Sequence, residues 1–251
     1  MERTISLLYH DVVPRGEFAS SGFHSADADR YKLEEALFNA HLDAIAERAA
    51  PISRLFTFDD GGASAVRTGE LLARRGWRGL FFIPTDYVGR LAFATPGDLR
   101  ALAGQGHTVG SHSASHPVRM SALPRARLLQ EWTDSRERLE DILGDAVHVA
   151  SIPGGYYSRA VAETAAAAGF DELFTSEPVA RPWRLGSLVI SGRYSIQQST
   201  PAAVVAAIAA GDWAPRAQQY AYWNFKKLLK RAGGSYWLRF RSSYLRLRQA
   251  P

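Results

Sequence analysis

Short runs of apolar residues alternate along this chain with longer stretches in which apolar positions recur every three or four residues. The short runs Thr4–Tyr9, Leu55–Phe58, Gly79–Pro84, His107–Ser111, Val147–Ile152 and Glu172–Thr175 read as strands. Leu188–Ile190 and Arg193–Ile196 supply one or two more. Between them the spacing predicts helices over Lys32–Arg48, with Leu33, Leu37, Ala44 and Ile45 along one side, and over Ala63–Arg75, ending at Gly76. Another opens near Pro96 with Thr95 as its N-cap. Further helices cover Pro124–Leu143, an alanine-rich segment reaching Ala168, and a segment from Thr200-Pro201 to Ala210. Strand–helix alternation of this kind builds a parallel sheet or barrel.

The polar residues that interrupt this pattern are not scattered. His10, Asp59 with Asp60, His112 with His116, and Pro153-Gly154 each fall just after a strand. In a parallel barrel those strand ends converge on one face, where active sites form. Leu55-Phe56-Thr57-Phe58 runs into two adjacent carboxylates and then two glycines. Neighbours on a strand point to opposite faces, so the expectation is that Gly61 and Gly62 release the backbone and let both acids turn into one cleft. Two carboxylates side by side repel unless a positive group sits between them, and a metal ion is one such group.

His112 and His116 are four apart, a spacing that puts both imidazoles on one side at the start of a helix. Two histidines with one carboxylate leave coordination positions open for water, the pattern of catalytic zinc. No Glu follows His112, so the helical zinc-protease motif is excluded. Taken alone, the histidine pair reads as chance or core packing before it reads as a ligand pair; the Asp-Asp-Gly segment earlier in the chain is what favours a metal.

Thr57-Phe58-Asp59-Asp60-Gly61 and His112-Ser113-Ala114-Ser115-His116 resemble the first two motifs of the polysaccharide deacetylases, which include chitin-oligosaccharide and peptidoglycan deacetylases. Leu8-Tyr9-His10-Asp11-Val12 is similar to the Tyr-His segment that opens many members, and Gly106–Gly110 to the strand before the second motif. The resemblance spans roughly residues 5 to 196 and implies an irregular (β/α) barrel of about seven units. It implies Asp60, His112 and His116 as metal ligands, Asp59 as general base, and the Gly154 N–H as a donor to the oxyanion. The implied reaction is removal of an N-acyl group, acetyl or formyl, from an amino sugar. Zinc is the expected ion, and the donor set also admits Co, Mn, Ni or Fe.

The third motif departs from the family pattern. Where the family has Arg-x-Pro-Tyr-Gly, this chain has Ser151-Ile152-Pro153-Gly154-Gly155, without the arginine that pairs with the catalytic Asp. Arg193 is a candidate for that charge; a structural or surface arginine is the alternative. No counterpart of the fourth motif is found around Asp171–Glu177, and no histidine follows His148 to protonate the leaving amine. His10 is the candidate for that proton or for a substrate contact, and His24 lies in a loop placed to fold over the cleft. His41, His107 and His148 read as structural.

Composition narrows the rest. The chain has 251 residues, no cysteine and a net charge of +5. Without thiolates any metal takes nitrogen and oxygen ligands. From Trp213 onward there are nine Lys or Arg and no acid, which leaves the first 212 residues at −4. Two units follow: a barrel over 1–212 and a basic, aromatic helical tail over 213–251. Residues 216–248 read as two helices broken at Gly233-Gly234, the second with Trp237, Phe240, Tyr244 and Leu247 in a stripe. Basic amphipathic helices of this type bind anionic membrane surfaces, and they also pack on a barrel or close a dimer. No nucleic-acid partner is expected. No apolar run nears the ~20 residues of a membrane span, and Met1-Glu2-Arg3 opens no signal-peptide pattern. A cytoplasmic protein, peripheral at the inner membrane face and acting on a lipid- or nucleotide-linked sugar, is the expectation; a non-catalytic carbohydrate-binding barrel and a component of a glycan-assembly complex are the alternatives.

Overall fold

The computed structural model describes residues 3–227 except 49, 51, 52 and 54. The strands are β1 (Leu7–Tyr9), β2 (Val12–Val13), β3 (Leu33–Glu34), β4 (Phe56–Phe58), β5 (Gly79–Ile83), β6 (Thr108–Ser111), β7 (Val149–Ser151), β8 (Glu172–Phe174), β9 (Trp183–Leu185), β10 (Leu188–Ser191) and β11 (Tyr194–Ser195). The helices are α1 (Glu35–Glu47), α2 (Ala65–Ala73), α3 (Pro96–Gly104), α4 (Arg125–Leu143), α5 (Arg159–Ala167), α6 (Ala202–Ala209) and α7 (213–227). The main sheet runs β11-β1-β4-β5-β6-β7-β8-β10-β9. Every neighbouring pair in it is parallel except β10 with β9. The sheet curls into an incompletely closed barrel, as the strand–helix alternation predicts.

Period-two alternation sorts each strand between two cores. Tyr9, Phe58 and Phe81 lie in register on β1, β4 and β5. Their rings stack toward the helical layer, with centroids 5.6 and 4.7 Å apart. The opposite faces of β5, β7 and β8 fill the barrel interior with Leu80, Phe82, Val149 and Phe174. Thr57, between Phe56 and Phe58, therefore points inward, and so does the next residue of the same parity, Asp59.

The helices follow their local signals. Thr95 caps α3 with a reciprocal pair: its Oγ1 accepts from the Asp98 N–H and the Asp98 carboxylate accepts from the Thr95 N–H. The helix expected from Lys32 starts only at Glu35, because Leu33-Glu34 pairs with Val12-Val13 as a short parallel ribbon. α7 rests on the barrel through Gln219, whose Nε2 donates to the Ser195 carbonyl at 2.9 Å. Tyr220, Tyr222 and Phe225 remain exposed on it. The second tail helix expected, with Trp237, Phe240, Tyr244 and Leu247, lies outside the described residues. No described helix is long and apolar enough to cross a membrane.

The closure of the sheet decides where one arginine goes. β10 sits near one end of the strand order and β11 at the other. Only Gly192 and Arg193 separate them in the chain. The two residues span the seam of the barrel, and the Arg193 side chain is buried, 1 % exposed, inside it.

Candidate metal centre and its base

Asp59 continues the ladder of β4, its N–H donating to the Tyr9 carbonyl at 3.0 Å. The turn into the cleft comes one residue earlier than the glycines predict: Asp60 itself adopts φ +74, followed by Gly61 at φ +58. A left-handed residue breaks the alternation, which is how two neighbouring acids reach one cleft. Gly62 has a different duty. A Cβ there would lie 2.0 Å from Asp11 Oδ1, and that oxygen accepts hydrogen bonds from Ser21 and Ser64 Oγ at 2.6 and 2.9 Å.

His112 and His116 do not lie on a helix. They sit on an irregular loop after β6 in which Ser113 (φ +62) and His116 (φ +52) are both left-handed. At non-glycine residues that conformation costs roughly 1–3 kcal/mol each. The loop is held by specific bonds. Ser113 Oγ accepts from the His116 N–H at 3.2 Å, and the buried Glu131 of α4 accepts from the Ser115 N–H and hydroxyl at 2.8 and 2.7 Å. The Phe23 ring packs on His116 with centroids 4.6 Å apart.

The result is a compact donor set. Asp60 Oδ1 lies 3.5 Å from His112 Nε2 and 3.3 Å from His116 Nε2. All three ligand atoms fall within 4.8 Å of one another. A tetrahedral ion with bonds of about 2.1 Å places neighbouring donors about 3.4 Å apart, so the spacing fits a divalent metal. The tautomer fits too. His112 Nδ1 is 3.0 Å from the Ser151 carbonyl, which can only accept, so Nδ1 carries the proton and Nε2 offers its lone pair. In metal-free protein, where Nε2 of each imidazole can donate, burial pushes the Asp60 carboxyl up, but hydrogen bonds from His112 and His116 outweigh it and hold the group well below the usual carboxylate range. Burial disfavours the His112 charge; the carboxylates of Asp59 and Asp60 reverse that and raise its pKa.

Arg193 reaches Asp59 across the barrel interior. Its Nη1 and Nη2 donate to Oδ1 and Oδ2 at 2.7 and 2.8 Å. Nη1 also donates to Thr57 Oγ1, Nη2 to Ser151 Oγ and Nε to the Thr175 carbonyl. All five donors of the guanidinium are thus satisfied. Ser151, at the position where the resembled motif has its arginine, accepts from Arg193 and donates to Asp59 Oδ2 at 3.2 Å. The small side chain leaves the space that the incoming guanidinium fills. Burial would raise the Asp59 carboxyl; the Arg193 charge, then that of His112, brings it below its ordinary value.

Around this core opens a cavity of about 460 Å³, lined by Asp59, Asp60, His112, His116 and Arg193 and walled by His10, Tyr31, Gly154 and Tyr156. His10 packs on Tyr31 at 5.0 Å, and its Nδ1 is buried with no hydrogen-bond partner among the described residues. Gly154 is left-handed (φ +63) in the turn Pro153–Gly155. His24 does not line the cavity; it pairs with Asp29 on the outside, while its neighbours Phe23 and Ser25 form the wall. His107 bonds the Gly79 N–H and the Gly69 carbonyl, and His41 lies against Tyr9 and the Thr200 carbonyl, both in structural positions. Sequence reasoning missed Ser151 and Glu131. The signal for Glu131 was present: an acid on the buried face of α4 with Leu128, Trp132, Ser135 and Leu139.

The family model for polysaccharide deacetylase matches residues 48–173. The protein YxkH of Bacillus subtilis, named for that family, is 24% identical over 182 residues, 68% of this chain and 64% of that protein. A 100-residue stretch, 39% of this chain, is 31% identical to 4% of a gellan lyase from a Bacillus species. The chain thus spans less than two thirds of the length of either curated relative. A polysaccharide deacetylase from Bacillus cereus has the same fold, with a TM-score of 0.68 at 17% identity over 83% of this chain and 69% of that one.

Proposed function

The chain belongs to the polysaccharide deacetylase family, and we propose that it is a metal-dependent hydrolase that removes an N-acyl group, acetyl above all, from an amino sugar. One observation carries the reading: an Asp59 held ionised by Arg193 stands beside an Asp60–His112–His116 donor set in a single cavity. A binding module has use for the donor set but none for a buried, charge-balanced base next to it.

Asp60, His112 and His116 would hold a divalent ion, zinc in this proposal, which would lower the pKa of water at the site and polarise the acyl carbonyl. Asp59 accepts the proton of the attacking water as its oxygen bonds to the acyl carbon. Arg193 keeps Asp59 anionic and fixes both of its oxygens, so the base is oriented before substrate arrives. The Gly154 N–H donates to the carbonyl oxygen as charge develops there. The C–N bond then breaks, the amine nitrogen takes a proton from His10, and a carboxylate and a free amino sugar leave. The run of basic and aromatic residues from 216 onward supports a lipid-linked glycan precursor at a cytoplasmic membrane face as the carrier of that sugar.

The test is metal analysis of the purified protein with acetate release from a panel of N-acetyl sugars, for wild type and Asp59→Asn. Bound divalent metal, with turnover that falls about 10³-fold in the variant while metal content is kept, is the expected outcome. Protein that takes up no metal sinks the assignment of Asp60, His112 and His116; full turnover in the variant sinks the assignment of the base.

A further inference from the structure

The catalytic cavity has a neighbour. A second depression of about 160 Å³ shares Gly154, Gly155, Tyr156 and Ser176 with it, and its far wall comes from α7, outside the barrel. That wall carries Trp223, Lys226 and Lys227. Where the two hollows meet, Gly154 and Gly155 present no side chains. Both are left-handed, at φ +63 and +67, and a Cβ on Gly155 would fall 1.8 Å from Ser176 Oγ. The ridge is low because it has to be glycine.

The chemistry of the hollow differs from that of the barrel. The first 212 residues carry a net −4, yet this corner gathers cations. Lys227 Nζ lies 4.5 Å from the Trp223 ring centroid and Lys226 Nζ 4.3 Å from that of Tyr222. On the near side the Arg119 guanidinium stands 5.8 Å from the Tyr156 ring centroid. One carboxylate, Glu177, shares the hollow; it faces Lys227 at 3.7 Å, looser than a hydrogen bond, and leaves the positive charge in excess. Aromatic faces pack on the C–H faces of sugar rings, and exposed ammonium groups attract anions.

We infer that this hollow is a second sugar subsite, built for a unit that carries an anionic group, a carboxylate or a phosphate, next to the residue being deacylated. The inference rests on the reading of the larger cavity as the deacylation site. Lys226 and Lys227 bind the anion, Trp223 and Tyr156 cover the ring, and Glu177 accepts from its hydroxyls. Substrate therefore runs from the barrel onto α7, and α7 selects an acidic glycan over a neutral one.

The full chain with Lys226→Gln and Lys227→Gln together tests this; Lys227 is exposed, Lys226 is half-buried, and glutamine keeps most of each side chain's length. Three probes are compared at low and high salt: N,N′-diacetylchitobiose, N-acetylglucosamine linked to glucuronic acid, and N-acetylglucosamine 1-phosphate. Wild type is expected to favour one or both anionic probes in kcat/KM, and the double substitution is expected to lower that preference about tenfold, through KM. The carboxylate and phosphate arms identify which anion the hollow takes. The control Arg74→Gln, a cation removed on α2, is expected to leave the preference where it was. An unchanged preference in the double variant, with acetate still released, overturns the inference and leaves the deacetylase reading standing. If no probe is turned over, calorimetric titration of the anionic probes decides: a roughly tenfold weaker Kd in the double variant upholds the subsite, and an equal Kd or no binding overturns it.

Discussion

The two halves of the site are built on opposite plans. The base half is strand-borne and closed: Asp59 and Arg193 satisfy each other, with Thr57, Ser151 and the Thr175 carbonyl taking the remaining donors. The ligand half is loop-borne and open: Asp60, Ser113 and His116 are all left-handed, and two imidazole nitrogens crowd around one carboxylate oxygen. One half is neutral as it stands, and the other is complete only with a cation. The difference teaches where each kind of precision comes from, a charge-matched pair inside a barrel in one case and an outer ring of hydrogen bonds behind a strained loop in the other.

The hardest blow to that contrast is Arg193→Met. It leaves the Asp59 charge buried without a partner, and removing one member of a buried pair typically costs about 3–5 kcal/mol. Denaturant unfolding should show a loss of that order. Any surviving activity should have its acid limb moved to higher pH, because burial then acts on Asp59 without the Arg193 charge, its chief opponent. Arg193→Lys, which keeps charge but loses the fork, should fall between the two. A variant as stable as wild type with an unmoved acid limb would show that the base half does not depend on this ion pair.

Glu131→Gln probes the other plan. It keeps the shape behind the loop and removes the charge that holds Ser115. Outer partners of metal ligands typically contribute 10- to 100-fold in affinity, so metal competition should show binding weakened about tenfold with Asp59 chemistry unaltered. Equal affinity would mean that the loop's own Ser113 bond suffices.

The smallest effect expected is in the pH dependence of metal-free protein. Asp59 and Asp60 have lowered pKa values, so their stabilisation is present above the ordinary carboxylate value and lost as pH falls through the lowered ones. His112 is raised, so its contribution is full below the ordinary histidine value and lost as pH rises through the raised one. Thermal melts of chelator-treated protein should therefore peak between those limits. Metal-loaded protein should lose the decline on the alkaline side, since ligation needs His112 neutral and releases its proton. Identical profiles with and without metal would show that His112 is not a ligand.

How much of this was readable beforehand depended on distance along the chain. Asp59-Asp60 and His112/His116 are each close pairs that fall at strand ends, which a parallel barrel brings to one face, and their motifs resemble those of a known family. The core of the barrel was legible for the same reason: its central strands are short apolar runs, and α3 to α6 each begin at a cap or stop at a glycine. The loop geometry was not, because Ser113 and His116 take left-handed positions without a glycine to mark them, and a four-residue spacing looks helical. Arg193 was legible only as a candidate. Its pairing with Asp59 spans 134 residues and depends on how the last strands close the sheet, which no local pattern encodes. Ser151 marked only the absence of the motif's arginine, whereas in three dimensions it bonds the guanidinium supplied from elsewhere.

The seam has one more consequence. Because Arg193, which pairs with Asp59, is also one of the two residues that bridge the final pair of strands, the ion pair forms only once those strands have docked. Until then Asp59 has neither its partner nor its fixed orientation. The side chain that clasps the barrel is thus also the one that orients the proposed base.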